Sequence, residues 1–270
     1  MERPFDRHVS RAEVERVGPD GRRRERDELA VEEPLEIRVD GEPLAVTMRT
    51  PGEDEALAVG FLAGEGLVAG RGDVASAGPP EDLAANVVEV RTRAGLRRDP
   101  AGERRFHLTS SCGVCGKGAL ETVRLVAPPP APAAPPIDRD LVLRAPSEAR
   151  RMQRSFERTG GLHATAVFEA SGELLSLHED VGRHNAMDKA LGELLLAGRY
   201  PPTGAIACLS GRASFELVQK AALARLAAVV AVGAPSSLAV DLAREHGILL
   251  CGFVRDGSFN VYAGAERLGG

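Results

Sequence analysis

The stretch GAIACLSGRASFELVQKAALARLAAVVAVGAPSSLAVDLAREHGILLCGFV, residues 204–254, decides the fold. Three short runs without a charge, Gly204 to Leu209, Ala228 to Val232 and Ile248 to Val254, alternate with two longer ones, Phe215 to Leu226 and Ser237 to Glu245, whose apolar residues recur at helical spacing. Apolar runs of strand length that do not alternate with polar residues describe a sheet covered on both faces. The order strand, helix, strand, helix, strand therefore predicts a layered α/β domain. Upstream, Ala164 to Phe168 and Glu173 to Leu177 read as paired strands around Ser171-Gly172, and Asn185 to Leu196 as a helix. A basic helix is predicted from a cap at Ser147 to about Arg158.

The N-terminal half has a different rhythm. Leu35 to Val39 alternates, Asp40-Gly41 is a hairpin turn signal, and Leu44 to Arg49 returns as the second strand. Glu53, Asp54 and Glu55 place negative charge at the start of an apolar helical run through Leu62, and Val87 to Thr92 and Phe106 to Thr109 are further strands. Residues 1–33 are dense in arginine and acid with little apolar periodicity and are expected to form a flexible arm. Residues 34–127 make a smaller α+β domain. The prolines of residues 128–136 make a stiff linker, and residues 137–270 form the α/β domain.

The bulk numbers narrow the function. At 270 residues the chain can bury substantial cores. A net charge of −5 and a pI near 5.8 argue against a dedicated nucleic-acid binder. No apolar run reaches bilayer length and no signal peptide is recognisable, so a cytoplasmic protein away from the membrane is expected. Four cysteines in a chain of this length are no disulfide framework. Cys208 and Cys251 sit inside apolar runs and read as buried core residues.

The other two cysteines lie in Ser110-Ser111-Cys112-Gly113-Val114-Cys115-Gly116-Lys117-Gly118. Glycines free the backbone there, and a nearby lysine stabilises the thiolate, the form of cysteine that attacks sulfur. Half a structural zinc site is the competing reading, but no second C-x-x-C supplies the missing ligands, so a shared site across a dimer would be required. A thioredoxin-like motif fits poorly because glycines stand where its helix should begin. The loop reads as a reactive thiol site without a resident metal.

In the second half, two strand-to-helix turns have the form of anion sites: Leu209-Ser210-Gly211-Arg212-Ala213-Ser214 and Val232-Gly233-Ala234-Pro235-Ser236-Ser237. Ser214 and Ser236 are equally explained as helix caps. His163, His178 and His184 each read first as turn or capping residues. His178-Glu179 begins like a zinc-protease motif, but Gly182 stands where the second histidine belongs. The zinc deaminase signature is broken too, since Thr165 replaces its glutamate and the cysteines precede the histidine.

Four motifs occur in order: Cys112 to Lys117, Thr159-Gly160-Gly161-Leu162-His163, Glu179 to Lys189, and Ser210 to Lys220. Together they closely resemble the FdhD family, sulfur carriers required for active formate dehydrogenase, from about residue 30 to the end. The resemblance implies a C-terminal half similar to cytidine deaminase without its activity. It implies a sulfurtransferase that takes persulfide sulfur from a cysteine desulfurase and passes it to the molybdenum cofactor, in its bis(molybdopterin guanine dinucleotide) form, before insertion into formate dehydrogenase. Cys112 matches the family's persulfide position, and Cys115 is expected to assist or resolve. Gly252 to Gly257 ahead of Val261-Tyr262 resembles the family's cofactor-binding stretch, which carries that role to Phe253, Val254, Arg255, Asp256, Gly257 and Ser258. Read alone, this is the loop after the final strand, with an ordinary hairpin turn at Asp256-Gly257 as the alternative. A homodimer is expected. The alternative function is a chaperone that holds the cofactor and uses the C-x-x-C loop only structurally.

Overall fold

The computed structural model describes residues 7–81, 84–97 and 136–269. Cys112, Cys115, the strand expected at Phe106 to Thr109 and nearly all of the proline-rich linker lie outside them. The described elements are β1 (Val9–Gly18), β2 (Gly21–Ala30), β3 (Glu33–Val39), β4 (Glu42–Arg49), α1 (Asp54–Gly64), β5 (Val74–Gly78), β6 (Val87–Thr92), β7 (Ile137–Asp138), α2 (Arg139–Met152), α3 (Arg154–Thr159), β8 (His163–Phe168), β9 (Leu174–Asp180), α4 (Arg183–Leu196), β10 (Ile206–Leu209), α5 (Phe215–Leu223), β11 (Ala228–Ala231), α6 (Ser237–Glu245), β12 (Leu249–Arg255), β13 (Ser258–Ala263) and β14 (Leu268–Gly269).

The C-terminal half is built on a six-stranded sheet in the order β13-β12-β11-β10-β8-β9. The three central strands β10, β11 and β12 run parallel, and β8, β9 and β13 are antiparallel to their neighbours. All four residues of β10 and of β11 are buried, as the uninterrupted apolar runs require. One face packs on α4, α5 and α6 through Leu191, Leu217, Val229 and Leu242, and the other on α2 through Leu141, Val142, Ile206 and Val230.

The N-terminal sheet has the order β4-β3-β6-β5, and the Asp40-Gly41 hairpin forms as the alternation predicts. Helix α1 covers this sheet with Leu57, Leu62 and Ala63, while Leu195 of α4 reaches into the same core. Between α1 and α4 there is no room for a side chain. A Cβ on Gly60 would sit 1.8 Å from the Asp188 carbonyl oxygen, and one on Gly192 would sit 1.8 Å from that of Ala56. The two glycines let the helix backbones touch, and this crossing joins the two halves of the molecule.

Three expectations are corrected. Residues 9–30 are not a flexible arm but a regular ten-residue ribbon, β1 against β2, closed by a turn at Pro19-Asp20. Its alternation is of charge, not hydrophobicity: Arg11 faces Glu28, Glu13 faces Arg26 and Glu15 faces Arg24, and such cross-strand pairs stabilise a hairpin as apolar pairs do. The basic helix begins at Arg139, capped by Asp138, which accepts from the Asp140 N–H at 2.8 Å; Ser147 lies inside it and donates to the Arg144 carbonyl. Pro146 resembles a first-turn proline but stands mid-helix, and the helix breaks only at Gln153. Finally, β12 continues through Arg255 and is followed by β13, so residues 253–258 are not a loop after the last strand.

Gly60→Ala and Gly192→Ala are each expected to destabilise the protein by about 3 kcal/mol, the upper part of the overpacking range, because backbone, not a flexible side chain, occupies the space. Gly72→Ala, with nothing within 4 Å of its Cβ position, should stay within about 0.5 kcal/mol of the parent. Urea midpoints at constant slope would measure both.

Candidate functional site

Three of the four sequence motifs meet at one edge of the six-stranded sheet, where the parallel strands end. Beyond their last ladder bonds the strands are stitched together: Gly233 N–H donates to the Gly211 carbonyl at 2.9 Å and Phe253 N–H to the Gly233 carbonyl at 3.2 Å. Such close turns need glycine. A Cβ on Gly233 would meet the Arg212 backbone at 3.1 Å, and one on Gly252 would meet Pro235 at 3.0 Å. His163, at the start of antiparallel β8, stands beside the end of β10, its Nδ1 3.3 Å from where a Gly211 Cβ would be.

The loop after β9 brings Arg183 and His184 to the same edge. Its geometry is set by Asp180, fully buried, whose Oδ1 accepts from Gly182 N–H at 2.8 Å and from Asn185 Nδ2 at 3.0 Å. His184 Nε2 pairs with Glu216 Oε2 at 2.6 Å and lies 3.3 Å from Ser214 Oγ. Ser214 is thus at the N-cap of α5, but its side chain makes no capping bond. Ser236, by contrast, caps α6 through the Ala239 N–H.

The charges here are unequal. Glu216 is held below its ordinary carboxylate range, first by the hydrogen bond from His184. His163 is pushed below its ordinary value of 6.5, first by burial and then by the neighbouring Arg183 and His184. It therefore remains neutral at pH 7, with a free ring nitrogen for accepting or relaying a proton. Arg183 Nε is buried and has no hydrogen-bond partner among the described residues. An anion would supply one.

Beside this cationic strip a cavity of about 360 Å³ opens between α2, α3 and the sheet. His163, Ser210 and the Cys208 thiol line it, together with Phe156, Gly161 and Gln153. Cys208 is only 2 % exposed, and burial pushes its thiol up to about 12, so it is an inert wall and not a nucleophile. Gln153 is 4 % exposed, and its Nε2 finds no acceptor among the described residues. The cavity offers an unsatisfied amide donor and a neutral imidazole on largely apolar walls, while the strip outside carries positive charge. An uncharged group with an acceptor edge suits the first, an anionic group the second.

The segment carried over as cofactor-binding lies at the far end of the same edge. Asp256 and Gly257, at φ 53° and 74°, form the two-residue loop of the β12–β13 hairpin, so the turn signal is realised. Val254 is 1 % exposed and belongs to the core; its side chain has no face toward a ligand. Phe253 is 38 % exposed and adopts φ 54°, a conformation costly for an aromatic residue, and the Arg255 guanidinium lies over its ring at 6.0 Å. Ser258 Oγ donates back to the Arg255 carbonyl. His178 is elsewhere, on the flank of β9, paired with Glu193 at 3.0 Å.

A family profile described as the FdhD/NarQ family matches residues 30–269. The chain belongs to that family. Among FdhD relatives, the "Sulfur carrier protein FdhD" of Streptomyces coelicolor is 51 % identical over 251 residues, covering 90 % of this chain and 89 % of the relative. The protein of the same name from Anaeromyxobacter dehalogenans is 50 % identical over 258 residues, with the same coverage. The fold is that of a crystallised chain described as a formate dehydrogenase accessory protein, from Desulfotalea psychrophila, with a TM-score of 0.76 over 96 % of this chain and 99 % of that one at 23 % identity. The FdhD motifs quoted above are therefore distributed by the fold as one edge, except Cys112 to Lys117, which lies outside the described residues. Among the described residues, no three His, Cys, Asp or Glu side chains are grouped to hold a metal ion, and no helix is long and apolar enough to cross a membrane.

Sequence reasoning passed over Arg183 and Gln153. Nothing in their spacing marks them; only the fold reveals that each has a buried nitrogen without a partner among the described residues. His163 is expected to titrate below 6.5 in an NMR pH series, and Arg183→Met should raise its midpoint by removing a like charge. Because the unfolded histidine takes up a proton where the folded one resists it, His163 contributes a fall in stability as pH drops below about 6.5.

Proposed function

We propose that the chain is a sulfur carrier that accepts persulfide sulfur at Cys112 from a cysteine desulfurase and delivers it to the bis(molybdopterin guanine dinucleotide) molybdenum cofactor before that cofactor enters formate dehydrogenase. The observation that carries this is the family match over residues 30–269 together with relatives at about half identity named sulfur carrier proteins. In the loading step the Cys112 thiolate attacks the outer sulfur of the desulfurase persulfide. The S–S bond of the donor breaks, a new S–S bond forms on Cys112, and the donor cysteine leaves as thiolate. Lys117 favours the thiolate, and Cys115 is placed by sequence to assist. The cofactor is cargo here, and the sheet edge suits its parts: Arg183 and Arg255 for phosphate, the Gln153 cavity for an uncharged group.

After incubation with a desulfurase and cysteine, the protein should gain about 32 Da on Cys112, the mass of one sulfur atom held as a persulfide, and lose it to reductant. Cys112→Ser should abolish the gain, whereas Cys208→Ser should leave it intact. Sulfur on Cys208 or Cys251, or on neither loop cysteine, would count against a carrier and favour a chaperone that only holds the cofactor.

Arg255→Ala tests the cofactor side. Loss of a charge-assisted bond worth about 1.5–3 kcal/mol lowers affinity for a guanine dinucleotide by one to two decades while thermal stability hardly moves. Calorimetry with unchanged affinity would remove Arg255 from the site.

A further inference from the structure

Another groove has no part in the site above. It has a volume of about 400 Å³ and touches every residue from Leu174 to His178. Successive side chains of a strand point to opposite faces, so a groove that meets five consecutive residues must run along the strand's edge. Among the described residues that edge is free: β9 is the last strand of the six-stranded sheet. The register fixes which backbone groups it offers. Ser210 N–H donates to the Ala164 carbonyl and Ala164 N–H to Ser210 Oγ, so Ala164 faces the β10 side of β8. Alternation then turns Thr165 and Val167 toward their β9 partners His178 and Ser176, and leaves the N–H and C=O of Leu177 and Glu179 pointing outward. Among the described residues no hydrogen bond reaches the Leu177 backbone from outside the sheet.

The walls have a definite chemistry. Leu174, Leu175 and Leu177 are half-buried along the edge, and Met152, 49 % exposed, lines the same groove. Arg151 and Arg154, both exposed, form the rim on the α2–α3 side with no carboxylate paired to them among the described residues. The one acid in the groove, Glu193, is already engaged by His178 and by the Ser176 hydroxyl. Natural proteins usually blunt a free edge with charge or cover it; here apolar side chains flank exposed backbone donors, and net positive charge borders them.

We propose that this edge is a docking site for an extended acidic segment of a partner protein, which adds to β9 as a further antiparallel or parallel strand. Its backbone pairs with Leu177 and Glu179, alternate apolar side chains lie against Met152 and the leucines, and its carboxylates meet Arg151 and Arg154. Main-chain pairing gives the affinity and the pockets and charges give the selection, as in other cases of strand addition. The site is independent of the sulfur-carrier reading.

The test uses the full chain and a fluorescein-labelled acetyl-Val-Glu-Val-Asp-Val-Thr amide. Saturable binding by fluorescence anisotropy is expected, with slowed hydrogen exchange at the Leu177 and Glu179 amides. Arg151→Glu with Arg154→Glu should weaken it about tenfold, the scale for two rim charge pairs. A peptide N-methylated at alternate amides should not bind. Absence of saturable binding, binding that survives N-methylation and charge reversal alike, or displacement of the peptide by self-association through the same edge would each overturn the proposal.

Discussion

The Asp180 carboxylate, with no exposed surface, is the point on which both halves of the molecule converge. Lys189 Nζ approaches Oδ2 to 2.9 Å, Thr50 N–H donates to the same oxygen at 3.1 Å, and Gly182 and Asn185 occupy the other. Lys189 completes its own shell on the Thr50 carbonyl at 2.7 Å. Asn185 goes on to the Met48 carbonyl and accepts from Thr47. A charge buried so deeply is tolerated only when its lone pairs are satisfied, and removing one partner from such a pair costs about 3–5 kcal/mol. Because the partners come from the end of β4, the end of β9 and the start of α4, satisfying one carboxylate fixes the relation between two sheets and aims Arg183 and His184 outward.

A second buried pair repeats the arrangement from the neighbouring residue of α4. Asp188 Oδ1 lies 2.8 Å from Lys220 Nζ at an angle short of a hydrogen bond, with Glu65 of the turn after α1 at 3.8 Å and the Phe61 ring beneath the ammonium. Burial raises the pKa of Asp188 despite the lysine beside it. For Lys220 burial acts downward, but Asp188 and Glu65 outweigh it and the net shift is upward. With Gly60 and Gly192 removing side-chain bulk at the same crossing, the contact between the halves is made of backbone and ion pairs more than of interlocking apolar side chains. Polar contacts of this kind demand one geometry, since sliding a helix by one turn would strand a charge.

How much of this was legible depended on the kind of signal. β10, β11, β12 and α6 follow from apolar period alone because both faces of the central strands are covered. The β1–β2 ribbon was illegible to a hydrophobic criterion, since its period-two alternation is written in Arg and Glu. Ser147 misplaced a helix start because a serine that reads as a cap also sits inside a helix, bonding a carbonyl of the preceding turn. Lys189 and Lys220 stand at core positions of their helices, a visible anomaly, but their carboxylate partners are distant in sequence. Of the site, the glycine turns and His163 could be singled out from the chain, whereas Arg183 and Gln153 become candidates only through what they lack in the folded state.

The charged ribbon adds little apolar surface to any core. It is tied to the body by the Arg158–Glu28 pair at 2.8 Å and by Ser155 Oγ to His8 Nδ1 at 3.4 Å, while the Val31 N–H to the His8 carbonyl only extends its own ladder. Glu28 titrates near 2 because Arg158 hydrogen-bonds it, so this tether persists through the whole neutral range. Opening the ribbon exposes few apolar contacts, and its free energy is therefore far below that of global unfolding. Among the described residues, proteases that sample such openings would cut within residues 9–30 first, leaving the two sheets and the edge that carries the site intact.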